Sequence, residues 1–239
     1  MVKNNVKVPF KSSRAALITA AVVTLVLEHF IPFGGLIVYP FTLLTTWVHE
    51  TGHGLAALIV GGHFQRLEIF WDASGVAHTV ENPGWPVAVV CLGGLLAPPL
   101  VGMIILILAR GPRRALGILV ALGAALLVSL ALWVRSPAGY FAVPLVAALL
   151  GAVVLRGSEN RRLVAAHFIA VQLALDTLGR MLHYVFVPTA MSGGHESRSD
   201  IALIADNLGG HYMLWGLLVA AIALGLLAVG LWAAWRKPK

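Results

Sequence analysis

Charge is scarce in this chain. Only 11% of its 239 residues are Asp, Glu, Lys or Arg, and ten of those are acidic. A soluble domain ordinarily carries about 25% charged residues, so an ordinary soluble fold is excluded. Cysteine is scarcer still: Cys91 stands alone, which excludes an internal disulfide and a metal cage of several thiolates. Read by itself it is a small buried apolar residue. A small-residue cleavage site after the first apolar stretch is also missing, and more apolar sequence follows, so that stretch reads as a retained helix and not a removed signal peptide. No internal repeat or low-complexity tract stands out.

What is present is apolar sequence, 59% of the chain. Seven stretches, 15–33, 36–60, 86–109, 115–134, 138–155, 162–187 and 211–235, approach or exceed the ~20 residues that a bilayer crossing needs. The expected fold is an all-α polytopic membrane protein of about six to seven transmembrane helices, with the lipid bilayer as its surroundings. The net charge of +7 does not point to nucleic acid, because the cations gather at helix ends: Lys3, Lys7, Lys11 and Arg14; Arg110, Arg113 and Arg114; Arg156, Arg161 and Arg162; Arg236, Lys237 and Lys239. Such clusters mark the cytoplasmic side. Three candidate helices separate the first cluster from the second, so either one of them is re-entrant or the rule fails at one loop.

Two connections carry more than turns. Residues 61–86, GGHFQRLEIFWDASGVAHTVENPGWP, hold an apolar run from Leu67 to Trp71, turn residues from Asp72 to Gly75, then Val76, Thr79 and Val80; this predicts a β-hairpin. Residues 188–200 read as a polar loop. SDIALIADNLGG (199–210) opens on a capping pair and closes on two glycines, which predicts a short helix or turn. The expected organisation is one membrane domain over 1–239, with a basic tail (1–14), the hairpin insertion (61–85) and the polar loop with its short helix (188–210).

Inside the second apolar stretch lies His49-Glu50-Thr51-Gly52-His53. At about 100° per residue, positions four apart differ by about 400°, so both imidazoles leave nearly one helix face and can share an ion. Glu50, one residue on, falls beside a metal-activated water and not on the metal, as a general base must. With nine histidines in the chain, chance supplies on the order of 0.01 such patterns. Ionisable groups within a membrane segment are expensive enough to mark function. The cofactor expected is Zn2+.

A catalytic zinc takes three protein ligands and keeps a position open for water. On stretch 162–187, Gln172, Asp176, Arg180 and His183 form one polar stripe. Asp176 is the first candidate for third ligand, against a simple pairing with Arg180 four residues on. Asp200, in the polar region with His195 and Glu196, is the alternative, against a role as helix N-cap. Gln172, Phe70 and Trp71 are candidates for substrate binding. His29, His63, His78, His167 and His211 lie at segment ends or on the wrong face and are not ligand candidates. Gly93-Gly94 and Pro98-Pro99 suggest close packing or a broken helix beside a water-accessible site.

HETGH in an early membrane helix, a hairpin directly after it and an Asp in a later helix resemble the site-2 protease family of intramembrane zinc metalloproteases. More narrowly, HETGHGLAALIVGGHFQRLEI, CLGGLLAPPL, and SDIALIADNLGG followed by LWGLL look like its compact bacterial branch without a PDZ domain. The resemblance implies zinc on His49 and His53, water activation by Glu50, completion of the metal site by a later Asp, and a bacterial inner-membrane location. The family's third-ligand motif is an Asn-Pro stretch followed by Leu-Asp-Gly. Here Leu175-Asp176 precedes Thr177 with no upstream Asn-Pro, and both Asp176 and Asp200 stand.

The activity implied is hydrolysis of a peptide bond in or near a transmembrane helix of a membrane-protein substrate. The hairpin at 63–80 would pair with the unwound strand. Competing classes are a non-hydrolytic homologue that binds substrate helices and a metal or proton transporter. The intact HExxH argues against the first, and the few ionisable groups outside 36–60 and 172–183 argue against the second.

Overall fold

The computed structural model describes Val26, residues 34–184 and residues 187–235; of residues 176–178 and 180–184 it describes the backbone only. The expected first helix (15–33), apart from Val26, lies outside the described residues, as do the basic clusters at both chain ends. Helix α1 (Gly34–Ile59) is followed by strands β1 (His63–Ile69) and β2 (Gly75–Val80), then helices α2 (Trp85–Leu108), α3 (Pro112–Leu132), α4 (Pro137–Arg156) and α5 (Glu159–Tyr184). Strands β3 (Thr189–Ser192) and β4 (His195–Arg198) precede the short helix α6 (Asp200–Leu208) and the last helix, α7 (Tyr212–Trp235).

The result is a polytopic helical membrane protein, as its composition requires. Among the described residues four helices, α2, α3, α4 and α7, are long and apolar enough to cross a bilayer. α1 and α5, of 26 residues each, are equal to a crossing in length at about 1.5 Å per residue. They are more polar, with HETGH on one and Gln172 and Asp176 on the other. Leu127, Leu132, Leu155, Leu214, Leu217 and Trp232 are exposed on the outer helices, where lipid is the solvent.

α2 sits at the centre and packs against α1, α5, α6 and α7. Its approach to α1 is set by small residues. A Cβ on Gly52 would lie 2.4 Å from the Gly93 carbonyl oxygen, and one on Gly93 2.4 Å from the Ala56 Cβ. Without a hydrophobic drive between helices in lipid, such close backbone packing holds them together. The Gly93-Gly94 pair is therefore a packing seam, and Pro98 and Pro99 lie within α2, which continues through them.

The expected hairpin is present as β1 and β2, antiparallel, with Leu67 opposite Ala77 and Ile69 opposite Gly75. Asp72 turns the chain by accepting from the Ser74 N–H and hydroxyl at 2.9 and 2.6 Å, and Ala73 takes a positive φ of 61°. The outer edge of β1 is occupied by the α3–α4 connection: the Leu67 N–H donates to the Trp133 carbonyl (2.8 Å) and the Arg135 N–H to the Leu67 carbonyl (2.9 Å). Ser136 adds two more bonds, accepting from the Ile69 N–H and donating to the Ile69 carbonyl, both 2.9 Å. With β1 so anchored, β2 is the outer strand of this two-stranded sheet.

The polar stretch expected as a loop forms a second hairpin, β3–β4. Its tip is pinned to the first: the Ser192 hydroxyl donates to the Gly75 carbonyl (2.6 Å), and the Gly193 N–H to the Ser74 hydroxyl (3.1 Å). The short helix expected after it begins at Asp200, with Ser199 as N-cap accepting from the Ala202 N–H, and ends at Gly209 with φ 83°. Ile201 and Ile204, both 0% exposed, pack on Ala88, Cys91 and Leu95 of α2 and Val219 of α7.

Candidate metal centre

His49 and His53 lie on α1 one turn apart, their rings nearly perpendicular at 88° with centroids 4.6 Å apart. Their Nε2 atoms converge to 3.0 Å. The first turn of α6 brings Asp200 to the same point: its Oδ2 is 3.2 Å from His49 Nε2 and 3.3 Å from His53 Nε2. Ser199, not Asp200, supplies the N-cap, so the Asp200 carboxylate is directed at the histidines, and its charge also complements the positive end of the helix.

Three observations bear on whether these residues suit a metal ion. The separations of 3.0, 3.2 and 3.3 Å match the ~3.3 Å expected between ligand atoms around a tetrahedral ion with bonds of about 2.0–2.1 Å. His53 Nδ1 lies 2.9 Å from the Val90 carbonyl oxygen, an acceptor only, so Nδ1 carries the proton and Nε2 turns its lone pair inward, the orientation that metal-bound imidazoles take from their outer partners. Two imidazole nitrogens and a carboxylate oxygen also form a donor set that zinc accepts.

Space for the His53 ring comes from α2. A Cβ on Gly94 would lie 2.2 Å from His53 Nε2, so only glycine lets the ring occupy this place. Cys91, one turn earlier, lines the same cavity as Asp200. Cys91 is buried, as its residue type suggests, but it is also part of the wall of the site.

A cavity of about 520 Å3 opens at the three ligand atoms. Glu50, 6% exposed, lines it beside the histidines, together with Thr45 and Thr46 of α1, the length of β2, the Val87–Pro98 face of α2, and residues of β3 and β4. β2 passes so close to Glu50 that a Cβ on Gly75 would meet its Cγ at 2.7 Å. The latch between Ser192 and Gly75 therefore lies directly beside Glu50, and both hairpins contribute residues to the lining of the cleft.

The structure brings His49, Glu50, His53 and Asp200 into one site. The side chains of Asp176, Arg180 and His183 are outside the described residues. Gln172 is buried in α5, and neither it nor Phe70 nor Trp71 is among the residues lining the cavity. Phe70 instead packs under Gly193, and the Trp71 carbonyl accepts from the Tyr39 hydroxyl at 2.7 Å, tying the hairpin to α1. His78 pairs with Glu68, His167 with the Leu163 carbonyl of its own helix, and His211 stacks on Tyr212.

Compared with known proteins, residues 15–230 match the family model described as Peptidase M50B-like. No curated protein and no solved structure matches.

Proposed function

Because the chain belongs to the Peptidase M50B-like family, the site-2 protease family of metallopeptidases, we propose that it is a zinc-dependent intramembrane endopeptidase cleaving a membrane-protein substrate in or near a transmembrane helix. The observation that carries this reading is the triangle of His49 Nε2, His53 Nε2 and Asp200 Oδ2, with Glu50 on the same cavity wall. In this reading His49, His53 and Asp200 hold the ion and Glu50 is the general base. Bound there, zinc would supply Lewis acidity, acidifying water to a pKa of about 7 and polarising the scissile carbonyl.

The chain's own residues do the rest. Glu50 takes a proton from the attacking water as oxygen bonds to the carbonyl carbon. It then delivers a proton to the amide nitrogen as the C–N bond breaks, leaving a carboxylate and an amine. Val90 keeps His53 in the tautomer that leaves Nε2 free.

A helical substrate hides its carbonyls in its own hydrogen bonds, so it must be extended before it reaches Glu50. β2, the outer strand along the cavity, offers main-chain partners to such a segment with little demand on its sequence. Gly75, without a side chain, lets β2 itself lie against Glu50 and Thr46, which brings the strand's edge beside the base. The setting implied by the resemblance to the compact branch is a bacterial inner membrane.

The test is a pair of measurements on purified protein in detergent. Glu50→Gln should retain one zinc per chain and lose cleavage of a transmembrane peptide by 10²-fold or more, within the range general-base removal produces. His49→Ala should lose both zinc and cleavage. A fully active Glu50→Gln enzyme would overturn the mechanism.

A further inference from the structure

The cavity holds a carboxylate for which the hydrolytic reading has no use. In the first hairpin Ile69 faces Gly75, Leu67 faces Ala77 and Phe64 faces Thr79. Glu81 directly follows the last residue of β2, two positions beyond Thr79. Gly75, Ala77, Thr79 and Glu81 all line the cavity. The face grows along its length, from no side chain beside Glu50, through a methyl and a hydroxyl, to a carboxylate at the far end near Val87 and Cys91 of α2.

Glu81 Oε2 is closed to solvent and has no hydrogen-bond partner among the described residues. A buried oxygen left in that state costs free energy that a bound partner would recover. The lining offers no cation to satisfy it. Arg198 is the single Lys or Arg among the lining residues, and its guanidinium is committed to Asp206 in three bonds of 2.6 to 3.0 Å. A divalent ion would balance Asp200 and Glu50, which leaves Glu81 as the unmatched negative charge of the cleft.

We propose that Glu81 is a specificity residue that receives one basic side chain, Lys or Arg, of a substrate strand lying along β2. This rests on the proteolytic reading above. At about 3.3 Å per residue, the run from Gly75 to Glu81 places that basic residue no more than about six residues from the bond held at Glu50. Transmembrane segments are commonly flanked by Lys and Arg. Glu81 would thus anchor the basic flank of a substrate's membrane segment and set where along it the bond is cut.

The test uses the full-length zinc-loaded protein in detergent and a transmembrane peptide with an otherwise uncharged cleavage region. A single Lys is scanned through six positions on each side of the bond, and Met at the same position is the reference. Wild type should favour Lys over Met at one position by about tenfold in kcat/KM, equal to about 1.4 kcal/mol. In Glu81→Gln that ratio should fall to about 1, and in Glu81→Lys it should invert so that a Glu-bearing peptide is preferred. The ratio is taken within each variant, so a lowered active fraction does not affect it. Peptide dissociation constants on the non-cleaving Glu50→Gln background should show the same preference and lose it in the Glu50→Gln/Glu81→Gln double variant. A wild-type ratio near 1 at every position, or one unchanged in Glu81→Gln, would overturn the proposal while leaving proteolysis standing. No Glu50-dependent cleavage of any peptide, the Met reference included, would overturn both.

Discussion

Gly94→Ala tests whether the fit of His53 against α2 is what makes the metal site. The added Cβ would stand 2.2 Å from His53 Nε2, 2.3 Å from Cε1 and 2.6 Å from Cδ2, where unstrained contact needs about 3.5 Å. Either the ring withdraws by more than about 1 Å, or α1 and α2 part by the same amount. Parting would open the Gly52–Gly93 seam, so the ring is the softer element. Its withdrawal stretches the 2.9 Å bond to Val90 beyond hydrogen-bond range, and moves Nε2 several times further than the ~0.2 Å that a metal-ligand distance tolerates. Losing an outer partner alone costs 10–100-fold in metal affinity. With the ligand itself displaced, a loss of about 10²–10³-fold is expected, or about 3–4 kcal/mol at 1.4 kcal/mol per decade. Zinc competition against a fluorescent chelator in micelles reads this out. Gly117→Ala on α3, where a Cβ meets open space, should bind zinc as wild type does. Zinc bound by Gly94→Ala within threefold of wild type would refute the reasoning, as would an equal loss in Gly117→Ala.

Two further predictions concern the hairpin that borders the cleft. Ser136→Ala strips the partner from the buried Ile69 N–H and carbonyl and should destabilise the protein by about 2–6 kcal/mol, at 1–3 kcal/mol per orphaned group; denaturant titration in micelles measures it, and a change under 0.5 kcal/mol would contradict it. The Glu68 carboxyl responds first to burial, which raises its pKa, but hydrogen bonds from His78 and Arg66 outweigh that and hold it below its ordinary value. A depressed folded-state pKa contributes stability that is present above the unfolded value and lost as pH falls through the folded one. Glu68→Gln should therefore lower Tm slightly at pH 6–7, by less than about 1 kcal/mol equivalent for so solvent-screened a cluster, and the difference should close below the ordinary carboxylate range. A gap that widened on acidification would reverse the assignment.

How far the chain could be read before folding depended on the range of the forces involved. HETGH is legible because helix geometry alone sets the angle between residues four apart, and the hairpin at 63–80 because Asp72, Ser74 and Gly75 are turn residues by local chemistry. The α6 helix announced itself through Ser199 and Gly209. The β3–β4 hairpin did not: HESR has no apolar alternation, and its tip is held by contacts from Ser192 and Gly193 to residues 117 to 119 positions earlier. Asp200 stood only as the alternative third ligand, because what brings it to His49 is the packing of Ile201 and Ile204 on α2, which local pattern does not show. Val90 contributes a backbone carbonyl, which no side-chain pattern can signal. Phe70 and Trp71 resembled binding residues by type, yet one supports a glycine turn and the other lies 63% exposed. Glu81 fell within the expected hairpin insertion with nothing local to single it out, and its place in the cavity lining follows only from how the hairpin packs.

The most direct measurement is the zinc content of purified Asp200→Asn set beside Asp176→Asn and wild type. If His49, His53 and Asp200 form the site, wild type and Asp176→Asn should each carry about one zinc per chain after dialysis against a weak chelator. Asp200→Asn should carry less than about a tenth of that, the loss expected when one of three protein ligands is removed. Full zinc in Asp200→Asn together with its loss in Asp176→Asn would contradict the assignment at its centre.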